Sequence, residues 1–508
     1  TQFSSMTGNV SESLLVSRYP IIDVLTYTSN LFSYPYGCTE QTTSRAFPWL
    51  FRSHPILDME KKAFYQEYLD REKTNDRSTP LEYDAWEYQL VENAINRILM
   101  RQNRNGGFNL WSSDYHNIAV SSYVADFLYQ AARQHPELVP SKTLDEVSAY
   151  IKKSVTDMSR KLNYGHHYYL LNDTVYGAWI LAREGKLFSA DLMIFNKHTD
   201  KMSPLSQAYL GAANLIAGNQ SVGEAILDKV TFTNWNSYYG YYHTDVAEIA
   251  LTIDLINQLT AKGVYTAPEG KVKTLMNLMN ERLKNRTYFS TQERYAMIKI
   301  GIDTPDDDTP IELVDQDGKR FNVMPNTMID SKGFTELYSD EPLYLSYKTE
   351  GFPMKRTSTS TFDVEIDRQY QRLGTTANVG DRYLVVLTVT PKRTIKNALI
   401  EDEILGGFNL INPNLVSDNV SEFYRSFNIK AADKRASNMH HEEFRFDRYV
   451  ASLDLDINKT YTFVYVIEAA IPGDYEVPNT YIEAMYLPEL RAVRAYSDKA
   501  PISILKSR

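Results

Sequence analysis

A cysteine and a glutamine three positions apart are the residues of this sequence best placed to do chemistry. Cys38 is the only cysteine among the 508 residues, and Gln41 would lie within one helical turn of it. A thiol in this place can attack the side-chain amide carbon of the glutamine and expel ammonia, which leaves an internal thioester. The spacing therefore predicts an activated acyl group that waits for a nucleophile.

The residues around the pair are of a kind that would keep water from an activated bond. A thioester survives only in a dry site, and Gly37 is expected to let the backbone turn tightly before the sulfur. Taken alone, Cys-x-x-Gln is a weak pattern, because a single cysteine is more often a small buried apolar side chain. The nearby aromatic residues are Tyr34, Tyr36, Phe47 and Trp49.

Longer strings in the sequence resemble one family. Tyr34-Pro-Tyr-Gly-Cys-Thr-Glu-Gln41 is similar to the thioester signature of the α2-macroglobulin and complement family, above all to its bacterial α2-macroglobulins. The matching positions are Gly37, Cys38, Glu40, Gln41 and Thr42. Later strings resemble other parts of the same family: Gln102–Phe108, Ser290–Glu293, Leu343–Pro353, Glu442–Arg448, Ile471–Gly473 and Tyr481–Tyr486.

The resemblance implies a multidomain fold, first α and then β. An α/α toroid of about twelve helices would carry the thioester in residues 1–300. Residues 301–355 would be the returning part of a CUB-like β domain, and 356–508 a C-terminal macroglobulin-type β-sandwich. The implied full protein also has upstream macroglobulin domains and a bait region, so we expect this chain to be a C-terminal piece.

The resemblance also implies a broad-spectrum protease inhibitor that acts once, rather than an enzyme. A protease cuts the bait segment elsewhere in the full protein, and a lysine amine of that protease then attacks the exposed Gln41 acyl carbon. The products are an amide crosslink and a free Cys38 thiol. Tyr34 and Tyr36, with Met485 from the last domain, are expected to shield the closed bond. Bacterial members imply a periplasmic or cell-surface location and an inner-membrane lipoprotein anchor upstream.

Two kinds of titratable residue could act near the thioester. Glu40 could satisfy backbone donors at a helix start or assist proton transfer during ring formation, and both roles stay open. In some complement proteins a toroid histidine redirects the thioester from amines to hydroxyls. The nearest candidates are His166 and His167, with His116 and His243 also near predicted helix starts. We expect surface or capping roles for them, and hence amine targets.

The elements that must position these residues are predicted by hydrophobic periodicity. Through the first ~300 residues apolar positions recur at helical spacing, and antiparallel helix pairs with one apolar stripe each can close into a ring. Ser203-Pro204 predicts a helix start, and Gly185 and Gly218 predict helix ends. One apolar face consists of Val120, Val124, Phe127, Leu128 and Ala131.

The pattern changes to β after residues 301–310, a turn-rich break. A polar stretch at 412–440 is expected to be a loop. Four segments alternate with period two or are dense in β-branched and aromatic residues, which predicts strands and a C-terminal sandwich. They are Pro310–Val314, Pro342–Thr349, Tyr383–Thr390 and Tyr461–Ile467.

Composition and charge exclude several classes of protein. With 43% hydrophobic and 23% charged residues the chain can build a core, and its formal charge of 54 − 64 = −10 argues against a nucleic-acid partner. No apolar run is long enough for a transmembrane segment. One cysteine excludes a Cys-rich zinc site, and His440-His441 is too sparse a pair, so no metal or cofactor is expected. Asp306–Asp308, between two prolines, predicts a solvated turn.

Three other functions stay open, because a toroid does not fix function. A carbohydrate-active enzyme would need two carboxylates facing across a groove. Asp114, Asp173 and Asp245 lie near predicted helix starts, but the sequence pairs none of them. A Cys–His protease would need a histidine within reach of Cys38. In a non-covalent interaction module the thioester would never form.

Overall fold

The computed structural model divides the chain into two compact units. One unit is Glu12–Lys348, and the other joins the beginning of the chain to Thr349–Arg508. The structure describes residues 6–17, 23–34, 37–73, 79–111, 117–163, 168, 170–233, 244–284, 286, 288–303, 309–325, 328–330, 336–340, 342–353, 357–412 and 439–506.

Thirteen α-helices lie in the described part of the first unit, and none of them is long and apolar enough to cross a membrane. Short 3-10 helices follow at Phe47–Leu50 and Phe195–Lys201. The helices are α1 (Val24–Phe32), α2 (Thr39–Ala46), α3 (Pro55–Lys73), α4 (Tyr83–Leu99), α5 (Ile118–Gln134), α6 (Ser141–Asn163), α7 (Leu171–Arg183), α8 (Ser189–Leu192), α9 (Pro204–Ile216), α10 (Gln220–Lys229), α11 (Asp245–Ala261), α12 (Lys271–Leu283) and α13 (Thr291–Asp303).

Six of these helices form a closed inner ring. In order around the ring they are α2, α5, α7, α9, α11 and α13, and α13 contacts α2 again. Outer helices pack on this ring: α1 on α13, α4 on α2, α6 on α5 and α7, α10 on α9, and α12 on α11. The expected α/α toroid is therefore confirmed.

Burial explains which helices line the ring. Helices α5, α7, α9 and α11 bury residues on nearly all faces, whereas α6 and α12 bury only a stripe. An all-round apolar helix belongs inside and an amphipathic one outside. The predicted boundaries are also confirmed: Ser203 caps α9 through its side chain, with Pro204 in the first turn. Gly185 and Gly218 follow α7 and α9 with positive φ angles.

Six strands begin or follow the toroid: β1 (Met6–Ser17), β2 (Ile311–Asp315), β3 (Arg320–Val323), β4 (Met328–Asp330), β5 (Leu337–Tyr338) and β6 (Tyr344–Pro353). Strand β2 pairs with β3 and β5, and Val16 packs with Ile311 and Leu313 in a small core. The helical prediction for the first 300 residues is wrong for β1, which pairs antiparallel with β4. The reason is that the pairing partner of β1 comes about 300 residues later.

The second unit is built from the strands β7 (Thr359–Ser360), β8 (Val364–Gln371), β9 (Thr376–Asn378), β10 (Arg382–Pro391), β11 (Ile395–Glu403), β12 (Phe408–Ile411), β13 (Met439–Phe444), β14 (Arg448–Leu455), β15 (Tyr461–Ala469), β16 (Gly473–Tyr475), β17 (Thr480–Ala484), β18 (Arg491–Arg494) and β19 (Ile502–Leu505). They form sheets in the orders β12-β15-β10-β8, β13-β14-β11-β17-β18-β7 and β16-β19-β9. Most of the predicted loop, 413–438, lies outside the described residues.

A buried ion pair joins the two larger sheets. Arg368 of β8 donates to Asp402 of β11 at 2.8 Å, and both side chains are fully buried. The hydroxyl of Tyr465 in β15 also donates to Asp402, at 2.5 Å. Because these residues come from facing sheets, the predicted sandwich is confirmed, and so are the strands predicted at 383–390 and 461–467, which pair in register.

Candidate functional site

Cys38 is the N-cap residue of α2. Its backbone is extended, with φ −62° and ψ 171°, and its sulfur accepts a hydrogen bond from the Gln41 backbone N–H at 3.4 Å. The Cys38 N–H in turn donates to the Gln41 side-chain oxygen Oε1 at 3.1 Å. This reciprocal pattern is a capping box in which sulfur replaces the usual hydroxyl. It places the thiol and the carboxamide at the same helix start.

The remaining amide atom of Gln41 is also held. Its nitrogen Nε2 donates to the hydroxyl of Tyr34 at 3.3 Å, and the guanidinium of Arg294 lies 5.7 Å from the centre of the Tyr34 ring. Tyr34 thus fixes which way the amide group points. Tyr36 lies outside the described residues.

The pair is removed from solvent. Cys38 is 0% exposed and Gln41 is 1% exposed. Phe47 and Trp49, the predicted aromatic neighbours, are both buried in the toroid core, where the Phe47 ring centre lies 4.6 Å from that of Tyr295 and Trp49 stacks on Phe32 at 4.7 Å. Water exclusion of this degree is what an activated acyl bond would require.

Arg101 is a residue of the site that the sequence analysis missed. It follows α4, and its guanidinium donates to the Gly37 carbonyl at 2.6 Å and to the Thr39 hydroxyl at 3.4 Å. These two partners flank Cys38 in the chain. Desolvation lowers the pKa of Arg101, while the nearby Cys38 acts in the opposite direction. The string Gln102–Phe108, which resembles part of the toroid, begins directly after Arg101 but gave no reason to single out this arginine.

Gly37 differs from expectation. It is not among the glycines with positive φ, and a Cβ built on it would meet the Thr42 hydroxyl at 3.6 Å, an ordinary contact. The prediction that glycine is needed here for a tight turn is therefore not supported by the backbone. The turn is held instead by the Gly37 carbonyl, which accepts from Arg101 and from Thr42.

Glu40 is fully buried and bonded to hydroxyl groups. Thr291, at the beginning of α13, donates to both of its carboxylate oxygens at 2.9 Å, and Ser44 donates to one of them at 2.6 Å. Ser44 in turn lies 2.8 Å from the hydroxyl of Tyr123 in α5. The pKa of Tyr123 is raised well above its usual value, mainly by burial and to a smaller extent by Tyr295 and Glu40. Glu40 therefore links three helices of the inner ring.

The two toroid strings that carried the resemblance have structural roles. Gln102 donates to the Gly106 carbonyl at 3.1 Å and pairs with Phe108 in a β-bridge, which closes a tight turn. Ser290 and Glu293 exchange side-chain and backbone hydrogen bonds of 2.8 and 3.2 Å, which caps α13. The cap presents the Thr291 hydroxyl to Glu40 of α2.

Met485 belongs to the second unit. It is 4% exposed, and its backbone N–H donates to the Asn397 carbonyl at 3.1 Å. The remaining candidates divide into those that the structure describes and those that it does not.

Among the described ones, burial raises the pKa of Asp173 to about 6, and Asp245 lies 3.6 Å from Arg282. Outside the described residues lie His116, His166, His167, His243, Asp114 and Asp306–Asp308.

A toroid followed by β domains is also the architecture of the C-terminal region of alpha-2-macroglobulins. Residues 351–489 match the family described as Bacterial Alpha-2-macroglobulin MG10 domain. The chain is also similar, over nearly its whole length, to bacterial relatives and structures that carry the name alpha-2-macroglobulin. The resemblance that the sequence indicated is therefore confirmed: the chain is similar to the bacterial alpha-2-macroglobulins.

Two relatives and one solved structure illustrate the similarity. The Alpha-2-macroglobulin of Escherichia coli K12 is 26% identical over 98% of this chain, and that of Xylella fastidiosa Temecula1 is 26% identical over 96%. The chain spans about 30% of the length of each. The crystal structure of native E. coli alpha-2-macroglobulin, from domain MG7 to the C-terminus, superposes with a TM-score of 0.79 and 25% identity. The alignment covers 97% of this chain and 77% of the chain in that crystal structure.

Proposed function

We propose that the chain carries the thioester of a protease inhibitor, which traps an attacking protease covalently. The observation that carries this proposal is the reciprocal capping box of Cys38 and Gln41, buried at the start of α2. A structural cysteine needs no such partner. The similarity to bacterial alpha-2-macroglobulins supports the inhibitor role, and the hydrogen-bonded capping box of Cys38 and Gln41 supports the chemistry.

The bond would form by attack of the Cys38 sulfur on the Gln41 side-chain carbon. Negative charge then develops on Oε1, and the Cys38 N–H already donates to that atom at 3.1 Å. Collapse of the intermediate breaks the bond between the carbon and Nε2. The nitrogen leaves as ammonia with the proton of the thiol, so atoms and charge balance. Tyr34 holds the departing nitrogen in a fixed orientation.

Trapping would use the same acyl carbon, with the sulfur now acting as the leaving group. After a protease cuts a bait segment elsewhere in the full protein, a lysine amine attacks the Gln41 acyl carbon. The bond between carbon and sulfur breaks, and the sulfur leaves with the electron pair. The crosslink is an amide, which does not turn over. Each molecule therefore acts once, and the partners are proteases and the macroglobulin and bait domains of the full protein.

The closed bond must be shielded from water until then. We assign this role to Tyr34, which is half-buried and bonded to Gln41, and to Tyr36 and Met485 by family relationship. Glu40 is proposed to anchor α2, because hydroxyl donors bind both of its carboxylate oxygens. A periplasmic or cell-surface location with an upstream lipoprotein anchor completes the proposal.

Intact mass spectrometry of the native chain tests the proposal. A formed thioester makes the chain about 17 Da lighter than its sequence, because ammonia is lost in acyl transfer. Methylamine should then add its own mass and release one titratable thiol at Cys38. Cys38→Ser and Gln41→Ala should show the full mass and no reaction with methylamine. A native chain with full mass and a free thiol would contradict the proposal.

A further inference from the structure

Arg101 contacts the residues on both sides of the Cys38 sulfur. Its two terminal nitrogens reach separate partners: the Gly37 carbonyl at 2.6 Å and the Thr39 hydroxyl at 3.4 Å. A guanidinium is a rigid planar fork, so two contacts of this kind fix both distance and direction. The turn that aims Cys38 at Gln41 is therefore braced from outside α2.

Among the described residues, no carboxylate forms an ion pair with Arg101. The nearest carboxylate on α2, that of Glu40, is bonded to Thr291 and Ser44 instead. Part of the Arg101 side chain is shielded from solvent, so its charge is less screened than that of a surface arginine. Its positive charge lies beside a sulfur that already accepts from the N-terminus of a helix.

The other charged or titratable groups near the start of α2 have their own partners. Arg294 lies over the Tyr34 ring, and Arg45 donates to the Phe32 carbonyl at 2.9 Å. The charged or titratable groups on α2 and on the elements packed against it include Tyr34, Glu40, Arg45, Arg97, Arg101, Tyr123, Glu293, Arg294 and Tyr295.

We propose that Arg101 is a positioning residue for the thioester reaction, which aims the sulfur and stabilises the thiolate released when an amine opens the bond. This inference rests on the proposed function. In the step concerned, the bond from the Gln41 acyl carbon to sulfur breaks, and the electron pair stays on sulfur. The new amide forms, and the amine proton goes to solvent. A cation beside the sulfur favours its charged form and so makes it a better leaving group.

The test is a pH titration of the Cys38 thiolate by its ultraviolet absorbance, with the whole chain in its opened form. Methylamine opens the bond where it has formed, and a chain without the bond already carries the free thiol. We expect Arg101→Gln to raise the thiol pKa by about one unit. Arg101→Lys should raise it less, because the charge remains. Arg104→Gln, which removes an exposed arginine three residues away, should leave it unchanged.

The rate of methylamine opening is a second measurement. Arg101→Gln should slow it about threefold, since a thiol of higher pKa leaves more slowly. Equal thiol pKa values in native protein and Arg101→Gln would overturn the inference. If Arg101→Gln does not fold, Arg101→Met decides, because it also removes the charge: a native thiol pKa and a native opening rate together would overturn the inference. Full mass and a free thiol in the native chain would instead contradict the proposed function. The thiol titration would still test whether Arg101 stabilises the Cys38 thiolate.

Discussion

The hydroxyl of Thr291 donates to both carboxylate oxygens of Glu40, although 251 positions separate the two residues in the chain. Thr291 begins α13 and Glu40 lies in the first turn of α2, so the contact spans the point where the inner ring closes. A buried carboxylate without such donors is costly. The helix that carries Cys38 is thus held in place by the last helix of the toroid.

Thr291→Val should therefore destabilise the toroid. The substitution keeps the shape of the side chain but removes the hydroxyl from a fully buried carboxylate, which we expect to cost about 1–3 kcal/mol of unfolding free energy. Thr291→Ser should recover most of the loss. Chemical denaturation followed by circular dichroism measures both. If valine proved as stable as threonine, Glu40 would have to be satisfied by other donors.

Tyr34→Phe and Tyr34→Ala should differ in their effect on the thioester. Phenylalanine removes the hydroxyl that accepts from the Gln41 amide but keeps the ring, so the bond should form more slowly while remaining shielded. Alanine removes both, and the formed bond should then be lost to water faster. Mass spectrometry over time separates formation from decay. Identical behaviour of the two variants would mean that the hydroxyl has no role of its own.

Met485→Ala should speed the loss of the thioester to water or amine if Met485 shields the bond. A flexible thioether fills irregular gaps well, and its removal opens a path for water. Val464→Ala is the matched control, because Val464 is an equally buried apolar residue of the same unit. Decay rates that rise alike in both variants would point to a general loss of packing.

Gly37→Ala should fold normally, whereas Gly106→Ala should not. A Cβ on Gly37 would make only an ordinary contact. Gly106 has φ +87°, and a Cβ there would lie 2.3 Å from the Glu146 carbonyl oxygen. Thermal unfolding of the two variants checks this contrast. A strongly destabilised Gly37→Ala would show that the turn before Cys38 has a steric constraint beyond its backbone angle.

Asp173 should make stability fall as pH rises. Burial raises its pKa in the folded state to about 6, above the unfolded value of about 4. The folded chain therefore holds more protons in this window, and its unfolding free energy decreases between about pH 4 and 6, by at most about 3 kcal/mol. Asp173→Asn should remove this contribution. Asp84→Asn, in the exposed first turn of α4, is the matched control for the loss of one carboxylate.

Local patterns in the sequence were sufficient for much of the fold and for the core of the site. Cys38 and Gln41 are three positions apart, so helix geometry alone brings them together. The inner helices, and strands such as β10 and β15, follow from the spacing and type of their apolar residues. These signals lie within single helices or strands, so they do not depend on tertiary contacts.

The sequence could not show contacts that join distant parts of the chain. Strand β1 was missed because β4 pairs with it from about 300 residues away. Arg101 reaches Gly37 across 64 positions and Thr291 reaches Glu40 across 251. Local sequence thus determined which residues could react, because their spacing is built into one helical turn. Only the closed ring decided what braces and buries them, because those partners meet only once all the helices have packed.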